Sequence, residues 1–526
     1  MQPTSLMQLL KKYWDEKPLA LLLIIGGIFR LLSAFFAKGY GMSDDHFLVI
    51  EPSQSWVDGY DYNKWLPVIT QGLTQASGHS LLYPGLHYIL FYLFKFIGIV
   101  NPDTKMIIVR LLHALYSLII IVIGFKITER IANKNTARLS GLLLAIYFFM
   151  PWLSVRNLVE VVCIPPLMLA TWYIIKYDKE NYRAGMYAGI MLGLAFCIRF
   201  QTAIFISGFG LALILMQRWK NIAWLIIGFV LSVGIVQMLT DVLIWKKPFV
   251  EFAEYVRYNL ENSETYGVSS WYKFLLLVSG ILIPPMSILL MLGYLKIWRK
   301  HLIIFLPAFL FFVFHSSFPN KQERFILPVI PFIIVGGMVG WQQLLQNSTK
   351  TWIQKFNRIT WILFFILNTI PLIVVSVSYS KRSRVESMLY LHRKGDTKTI
   401  CVEESIHSNI TLPPQFYLGS WGTVYDLSSS RTIQNLLCDL QKTKLKENLP
   451  QYVLFNQNDD LEKRISAFKK YFPNITFETE IKPGFIDALL HKLNPRNSNF
   501  TIYIYKIHYN KEEWASINSA GCFAHN

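Results

Sequence analysis

The chain has 526 residues, of which 53% are apolar, 15% aromatic and only 16% charged. Together with a positive mean hydropathy, this composition excludes an ordinary soluble globular protein and predicts a membrane protein. The net charge of +18 is the kind of Lys and Arg excess that membrane proteins carry in cytoplasmic loops and at anionic lipid headgroups. The sequence has no nucleic-acid-binding motif, so this charge does not indicate a nucleic-acid partner. Five cysteines without metal-binding spacing predict neither a metal site nor a disulfide framework.

Along the chain, twelve apolar segments come near the length of about 20 residues that a membrane-spanning helix needs. They lie at residues 18–37, 80–100, 106–125, 139–155, 158–176, 185–199, 201–217, 221–244, 274–296, 301–317, 325–345 and 357–379. The sequence therefore predicts a polytopic α-helical membrane protein with about 11 or 12 transmembrane segments.

Basic loops set the predicted orientation, because Lys and Arg are enriched on the cytoplasmic side. The N-terminus and the stretches 126–138, 296–301 and 350–358 are all basic. These basic stretches all lie on the cytoplasmic side only if one of the apolar segments before residue 106 does not cross the membrane. The segment 80–100 is interrupted by Pro84, Gly85, His87 and Lys95, so we expect it to be re-entrant or interfacial.

From residue 381 the pattern changes to short strands alternating with helices. The predicted strands are 399–404, 452–456, 475–481 and 500–507, and the predicted helices are 431–442, 460–472 and 485–493. We therefore expect residues 1–380 to form a transmembrane catalytic domain, with a first outer loop at 38–79 and an aromatic outer loop at 245–273. Residues 381–526 are predicted to form a small, outward-facing soluble α/β domain.

The first outer loop carries the acidic sequence "SDDHFLVIEP", with Asp44, Asp45, His46 and Glu51. Adjacent carboxylates close to a membrane raise each other's pKa, which suits a general base. The alternative is that acidic residues simply populate an external loop.

Several cations are placed at the ends of apolar runs. Arg156 and Glu160 are four residues apart and could pair along one helix turn. Arg199 interrupts an apolar stretch, and "FPNKQERF" places Lys321 and Arg324 between two apolar runs. Each could be an interfacial anchor. Taken together, phosphate-clamping cations and a carboxylate indicate group transfer from a membrane-anchored phosphate donor to a hydroxyl.

Four segments carry a family resemblance. "NKQERFILPVIP" resembles the HKEERF-type signature of the GT-C superfamily of polyprenyl- or dolichyl-phosphate-mannose-dependent mannosyltransferases, the Alg9-like enzymes that extend GPI-anchor and N-glycan precursors. "SDDHFLVIEP", "IRFQTA" and "YGVSSWYKF" are similar to three further segments of that family. Asn320, Gln322 and Phe200 depart from its pattern, which leaves the particular sugar and the acceptor open.

The resemblance implies an inverting glycosyltransferase that moves a sugar, mannose by analogy, from a polyprenyl- or dolichyl-phosphate donor to a glycan or glycolipid acceptor. It would act among membrane lipids at the non-cytoplasmic face, with no metal or further cofactor. Asp44 matches the family's first-loop Asp and is predicted to be the catalytic base, and Asp45 is predicted to orient the acceptor or to share the proton. The predicted phosphate-binding residues are Lys321, Arg324, Arg199 and Arg156, and the predicted sugar- or acceptor-binding residues are His46, Glu51, Glu323, Tyr266 and Trp271.

Other classes of membrane protein would also show many spans with embedded charges. A transporter or lipid flippase is one alternative, and a non-catalytic assembly subunit is another. The sequence has no internal repeat, and its polar motifs fall on one predicted face, which favours the transferase. The Ile-, Lys- and Asn-rich composition favours a bacterial inner membrane over the endoplasmic reticulum.

Overall fold

The computed structural model describes residues 6–69, 75–265, 268–404, 411–443 and 449–509. The helices of the first part are α1 Leu6–Glu16, α2 Pro18–Phe36, α3 Ser43–Phe47, α4 Ile50–Val57, α5 Leu82–Phe96, α6 Pro102–Ile131, α7 Lys134–Ile146, α8 Phe149–Leu153, α9 Val159–Val162, α10 Ile164–Lys176, α11 Tyr182–Ile198, α12 Thr202–Leu215 and α13 Trp219–Val233.

The chain continues through a π-helix at Gly234–Met238 and a 3-10 helix at Glu323–Val329. The remaining helices are α14 Leu239–Trp245, α15 Val250–Glu261, α16 Lys273–Ile281, α17 Met286–Lys296, α18 Leu302–Ser317, α19 Ile330–Gln346, α20 Thr351–Ser376, α21 Arg382–Lys394, α22 Gln415–Leu418, α23 Ile433–Thr443, α24 Leu461–Lys469 and α25 Phe485–Leu493, with a short 3-10 turn at Pro495–Asn497. The strands are β1 Ile400–Glu404, β2 Val424–Ser428, β3 Tyr452–Asn456, β4 Ile475–Ile481 and β5 Ile502–Ile507.

The chain forms two compact units. The membrane unit comprises Met1–Ala37, Asn63–Leu90 and Ile107–Val377, and the C-terminal unit comprises Lys38–Tyr62, Phe91–Met106 and Ser378–Asn526. The predicted first outer loop at 38–79 is thus divided between the two units. The physical reason is contact within the C-terminal unit, where the Phe416 amide donates to Glu51 Oε2 at 2.9 Å and Trp421 Nε1 donates to Asp58 Oδ2 at 2.9 Å.

Six helical stretches in the described residues are long and apolar enough to cross a membrane by themselves. They are Pro18–Phe36, Pro102–Ile131, Val159–Lys176, Trp219–Trp245, Glu323–Gln346 and Thr351–Ser376, and three shorter apolar helices are Tyr182–Ile198, Thr202–Leu215 and Leu302–Ser317. These helices make the chain a multi-pass membrane protein. All twelve predicted segments fall on helical residues.

One predicted span is sharply bent. The segment 274–296 is broken into α16 and α17, which are bent by 117° relative to each other. Pro284 and Pro285 lie at the break, and because proline lacks a backbone N–H, a helix cannot continue regularly through such a pair. The predicted apolar segment is therefore helical on both sides of a sharp bend.

Glycines let two helices of the membrane unit approach closely. Gly185, Gly189 and Gly193 repeat every four residues on α11, and a Cβ at Gly189 would lie 2.1 Å from the carbonyl oxygen of Leu225 on α13. Small residues at this spacing are the usual means of close packing between membrane helices. The contact fixes α11, which ends immediately before Arg199.

The C-terminal unit contains a five-stranded sheet of order β2-β1-β3-β5-β4. β2, β1 and β3 are parallel, whereas β5 is antiparallel to both β3 and β4. Apolar residues of α23 and α24, such as Leu436, Leu440 and Phe468, pack with Val453 and Phe455 of β3 in one buried cluster. The predicted α/β character is confirmed, and β2 is the strand that the sequence prediction missed.

Candidate active site

Three charged side chains meet inside the membrane unit and form what we call the arginine cluster: Glu160, Arg199 and Arg324. Arg199 Nη1 lies 3.5 Å from Glu160 Oε1, and Arg324 Nη1 lies 3.6 Å from the same oxygen. All three residues are buried, with exposures of 2%, 3% and 8% in that order. Two cations thus share one carboxylate, which leaves the cluster with a net positive charge.

Each member of the cluster stands at the start or end of a helix. Glu160 is in the first turn of α9, Arg199 follows the last residue of α11 in extended conformation, and Arg324 is in the first turn of the 3-10 helix Glu323–Val329. Charged side chains at such positions can turn toward one another, whereas mid-helix positions would expose them to apolar neighbours or lipid.

Two glutamines orient the arginines in the same way. Gln201 Oε1 accepts from Arg199 Nε at 2.9 Å, and Gln322 Oε1 accepts from Arg324 Nε at 2.9 Å. Both guanidinium carbons lie 5.4 Å from the centroid of the Phe325 ring, within the range of a cation–π contact. The Nε atoms are therefore occupied by neutral acceptors, and the terminal nitrogens face Glu160.

Several hydrogen-bonding atoms of the arginine cluster have no hydrogen-bond partner among the described residues. In the described part of the chain, neither Nη1 nor Nη2 of Arg199 donates a hydrogen bond, and Oε2 of Glu160 accepts none. Buried charges without full hydrogen bonding are costly. A bound anion with several oxygen acceptors, such as a phosphate, would satisfy these donors and neutralise the cluster.

Arg156 and Glu160, which the sequence suggested could pair along one helix turn, do not share a helix turn. Helix α9 begins only at Val159, after Leu158 in extended conformation, so Arg156 lies in the preceding turn. Its guanidinium carbon lies 4.4 Å from the ring centroid of Trp152. Glu160 contacts Arg199 and Arg324, and both the pairing of Arg156 with Glu160 and a role of Arg156 in phosphate binding stay predictions.

Lys321, predicted to bind the donor phosphate, has a different set of contacts. Its Nζ donates to the carbonyl oxygens of Ser269 at 2.8 Å and Phe318 at 2.6 Å. Burial and the neighbouring Lys273 lower the pKa of Lys321. An isolated β-bridge pairs Val268 with Asn320 beside these bonds. Lys321 thus ties the "NKQERF" segment to the "VSSW" segment, and its ammonium is directed at carbonyls.

The remaining candidates of the membrane unit lie near this junction. The side chain of Glu323 is 58% exposed and lies 3.2 Å from Lys273 Nζ, and Trp271 is 67% exposed. Tyr266 lies outside the described residues. Exposed Glu323 and Trp271 have surface available for a sugar or lipid, and their proposed contacts stay predictions.

The two adjacent carboxylates of the first outer loop, in the C-terminal unit, have different environments. Asp45 is 2% exposed and accepts from the amides of Gly41 at 2.9 Å and Met42 at 3.2 Å, which caps helix α3. Asp44, one residue earlier in the first turn of α3, is partly exposed. Of the pair, Asp44 has the surface that a general base requires, whereas the contacts of Asp45 are those of a helix cap.

His46 and Glu51 differ from their predicted role in sugar binding. His46 Nε2 and Glu51 Oε1 are 2.8 Å apart, and the residues are only 1% and 0% exposed. The His46 ring stacks between Tyr40 and Tyr417, with centroid distances of 4.9 Å and 5.4 Å. Burial raises the pKa of Glu51. Because both residues are buried, they offer no surface to a sugar. Their contacts with Phe416 and Tyr417 hold the acidic loop against α22.

Sequence reasoning did not identify the roles of Glu160, Gln201, Gln322 and Phe325. A local signal was present, since each arginine has a glutamine two residues away, in "RFQ" and in "QER". The sequence does not reveal that these distant segments meet at the Glu160 carboxylate.

Two solved structures have a fold similar to that of this chain. ArnT from Cupriavidus metallidurans bound to undecaprenyl phosphate matches with a TM-score of 0.58 at 12% identity, over 92% of this chain and 97% of ArnT. The Archaeoglobus fulgidus oligosaccharyltransferase in complex with Zn and sulfate matches with a TM-score of 0.52 at 10% identity, over 88% of this chain and 72% of that chain. The fold is of the GT-C type.

Sequence comparison identifies the family. Residues 21–419 match the model of the Alg9-like mannosyltransferase family. The chain therefore belongs to the Alg9-like mannosyltransferase family, and this assignment does not favour the transporter or flippase alternative.

Curated relatives carry names of the same kind. The Arabidopsis thaliana Dol-P-Man:Man(7)GlcNAc(2)-PP-Dol alpha-1,6-mannosyltransferase is 25% identical over 40% of this chain and 43% of its own length. Mannosyltransferase APTG1 from the same plant is 23% identical over 72% of each chain. GPI mannosyltransferase 3 of Candida albicans is 22% identical over 58% of this chain and 61% of its own length. The chain thus spans less than two thirds of two of these relatives.

Proposed function

We propose that this chain is an inverting mannosyltransferase that takes mannose from a polyprenyl- or dolichyl-phosphate donor and transfers it to a hydroxyl of a lipid-linked glycan or glycolipid. The observation that carries the proposal is the arginine cluster, a buried site with net positive charge and unused donors on Arg199. The family membership and the names of the relatives support mannose as the sugar.

The proposed reaction is a single displacement. Asp44 takes the proton from the acceptor hydroxyl, the hydroxyl oxygen bonds to C1 of the mannose, and the bond from C1 to the phosphate oxygen breaks. One base and no covalent intermediate are sufficient for inversion. The electron pair of the broken bond stays on the lipid phosphate, which becomes a phosphomonoester.

The arginine cluster is proposed to act on that leaving group. The donor is a phosphodiester with one negative charge, and the phosphate gains a second as the bond breaks. Arg199 and Arg324 therefore attract the phosphate more strongly in the transition state than in the bound donor, which is the condition for raising kcat. Because the arginines supply positive charge, we propose that transfer needs no metal ion or other cofactor.

The proposal also concerns the membrane face at which the reaction takes place and the membrane in which the protein lies. We propose that the reaction takes place at the non-cytoplasmic face, on the basis of the predicted orientation of the acidic loop. The curated relatives compared above come from a plant and a yeast. They therefore do not favour the bacterial inner membrane over the endoplasmic reticulum.

A transfer assay tests the proposal. Purified protein in proteoliposomes would receive radiolabelled dolichyl-phosphate mannose, or undecaprenyl-phosphate mannose, and an extract of lipid-linked glycans and glycolipids as acceptors. We expect labelled mannose in the acceptor fraction and no label from the corresponding glucose donors. Absence of transfer from both mannose donors by stable protein would contradict the proposal.

Metal removal is a further expected outcome of the same assay. Incubation with EDTA followed by desalting should leave the initial rate unchanged, because the arginine cluster provides the positive charge at the leaving group. A rate that falls with EDTA and returns on addition of Mg²⁺ or Mn²⁺ would show that a metal ion acts in the reaction.

A further inference from the structure

Helix α25 of the C-terminal unit exposes an apolar face. Phe485, Leu489 and Leu493 follow each other at intervals of four residues and so share one side of the helix. Their exposures are 79%, 45% and 74%, and adjacent Leu490 is 44% exposed. Contiguous exposed apolar side chains of this size mark a surface that contacts something other than water.

The opposite side of α25 is fixed to the protein by polar contacts. Asp487 is 4% exposed, and its Oδ2 accepts from the backbone amide of Arg382 at 3.0 Å. Asn499 Nδ2 donates to the Asp487 carbonyl oxygen at 3.2 Å. A Cβ at Gly484 would lie 3.0 Å from the carbonyl oxygen of Tyr379. The helix is therefore held against the segment 379–382.

That segment follows two candidate membrane spans closely. The last span ends at Ser376, and the first ends at Phe36. The Ser380 amide donates to the Lys38 carbonyl oxygen at 3.1 Å, next to an isolated bridge between Gly39 and Ser380. Since Lys38 is two residues beyond the end of a span, the segment that holds α25 lies at the level of the lipid headgroups.

We propose that the exposed face of α25, Phe485, Leu489, Leu490 and Leu493, inserts into the headgroup boundary of the bilayer. A helix with one apolar face beside basic residues is the form that interfacial helices take. Exposed Lys482 and Lys492 flank this face, and they would attract anionic headgroups. The occupant of the surface is a lipid layer.

Photo-crosslinking of the full-length protein tests this proposal. A benzophenone-bearing phenylalanine analogue would replace Leu489, and in a second protein Leu493. Each protein would be reconstituted into vesicles of equal parts phosphatidylcholine and phosphatidylglycerol. The matched control carries the analogue at Lys463 on α24 of the same unit, where the side chain is 83% exposed.

After irradiation, mass spectrometry would identify what each position has captured. We expect lipid adducts at positions 489 and 493, at least tenfold more than at position 463. Equal lipid labelling at all three positions, capture of protein at 489 and 493, or no lipid adduct in proteins that melt like the parent would overturn the proposal. Two probe positions keep the test decisive if one replacement unfolds the unit.

Discussion

At the scale of single residues, the chain uses its cations in two different ways. Arg324 contacts a buried carboxylate and a glutamine, whereas Lys321, three residues earlier, donates to two backbone carbonyls. Both residues lie in one motif, "NKQERF", and both were predicted to bind phosphate. A planar guanidinium can bind two phosphate oxygens at once, which an ammonium cannot. Only the arginine is therefore expected to determine donor affinity.

A pair of substitutions separates these roles. Arg324→Lys keeps the charge but loses the planar guanidinium and its Nε hydrogen bond to Gln322. The donor KM should therefore rise about tenfold to a hundredfold, which corresponds to a loss of ~1.5–3 kcal/mol in binding free energy. Lys321→Met leaves two carbonyls without a donor and should lower the free energy of unfolding by about 1–3 kcal/mol. Its donor KM should stay within about twofold of the parent.

Steady-state kinetics with varied donor, together with thermal melting of both variants, makes this comparison. The reverse pattern, with KM raised in Lys321→Met and unchanged in Arg324→Lys, would move phosphate binding from the arginine to the lysine.

At the scale of elements, the aromatic outer loop is held by a buried carboxylate. Glu251 on α15 is 0% exposed, and it accepts from Ser77 Oγ at 2.8 Å, from the Gly78 amide at 2.8 Å and from Trp245 Nε1 at 2.9 Å. Burial raises the pKa of Glu251 to about 7. The helix that begins the loop is thus fastened to residues 77–78 by a group that titrates near neutral pH.

Because the pKa of Glu251 is higher in the folded protein than in the unfolded chain, the folded state binds more protons between about pH 4.5 and 7. Stability should therefore fall as pH rises through this range, by an amount on the order of 3 kcal/mol for this one group. Melting curves of the parent and Glu251→Gln across these pH values test this. The variant should lose most of the slope, and an identical slope in both proteins would show that Glu251 does not cause it.

Most elements of the C-terminal unit could be predicted from sequence, because alternating β-branched and aromatic residues bounded by turns mark strands. β2, "VYDLS", was not predicted, although it is as long as β1 and β3. Helix α25 was predicted with the bounds that the structure gives it. The arginine cluster was predicted only as separate residues, since its formation depends on the packing of α9, α11 and the 3-10 helix, which periodicity does not reveal.

For the whole molecule, the three stretches of chain that make up the C-terminal unit constrain how often the chain crosses the membrane. Lys38–Tyr62, Phe91–Met106 and Ser378–Asn526 belong to one compact unit, so we expect them to lie on one side of the membrane. Helix α5 begins after the first stretch and ends within the second, so it then does not carry the chain across. The ten apolar segments predicted from the sequence, from 106–125 to 357–379, occupy the chain between the second and third stretches. Their even number returns the chain to the same side.

This arrangement predicts eleven crossings, with the N-terminus and the C-terminus on opposite sides. Fusions of alkaline phosphatase before Met1 and after Asn526 test the parity. In a bacterial host, the C-terminal fusion should be active and the N-terminal fusion inactive at equal expression. Equal activity of the two fusions would require an even number of crossings and would place the acidic loop on the opposite face from the C-terminal residues.

Single-turnover transfer from synthetic polyprenyl-phosphate mannose by Asp44→Asn and Asp45→Asn tests whether Asp44 is the base of the transfer reaction. Asp44→Asn should fold and bind donor like the parent and lose about 10²- to 10⁴-fold in rate, because an amide cannot accept the proton. Asp45→Asn should retain transfer and lose about 1 kcal/mol of stability, since Asp45 caps α3. Full transfer by stable Asp44→Asn would contradict the account.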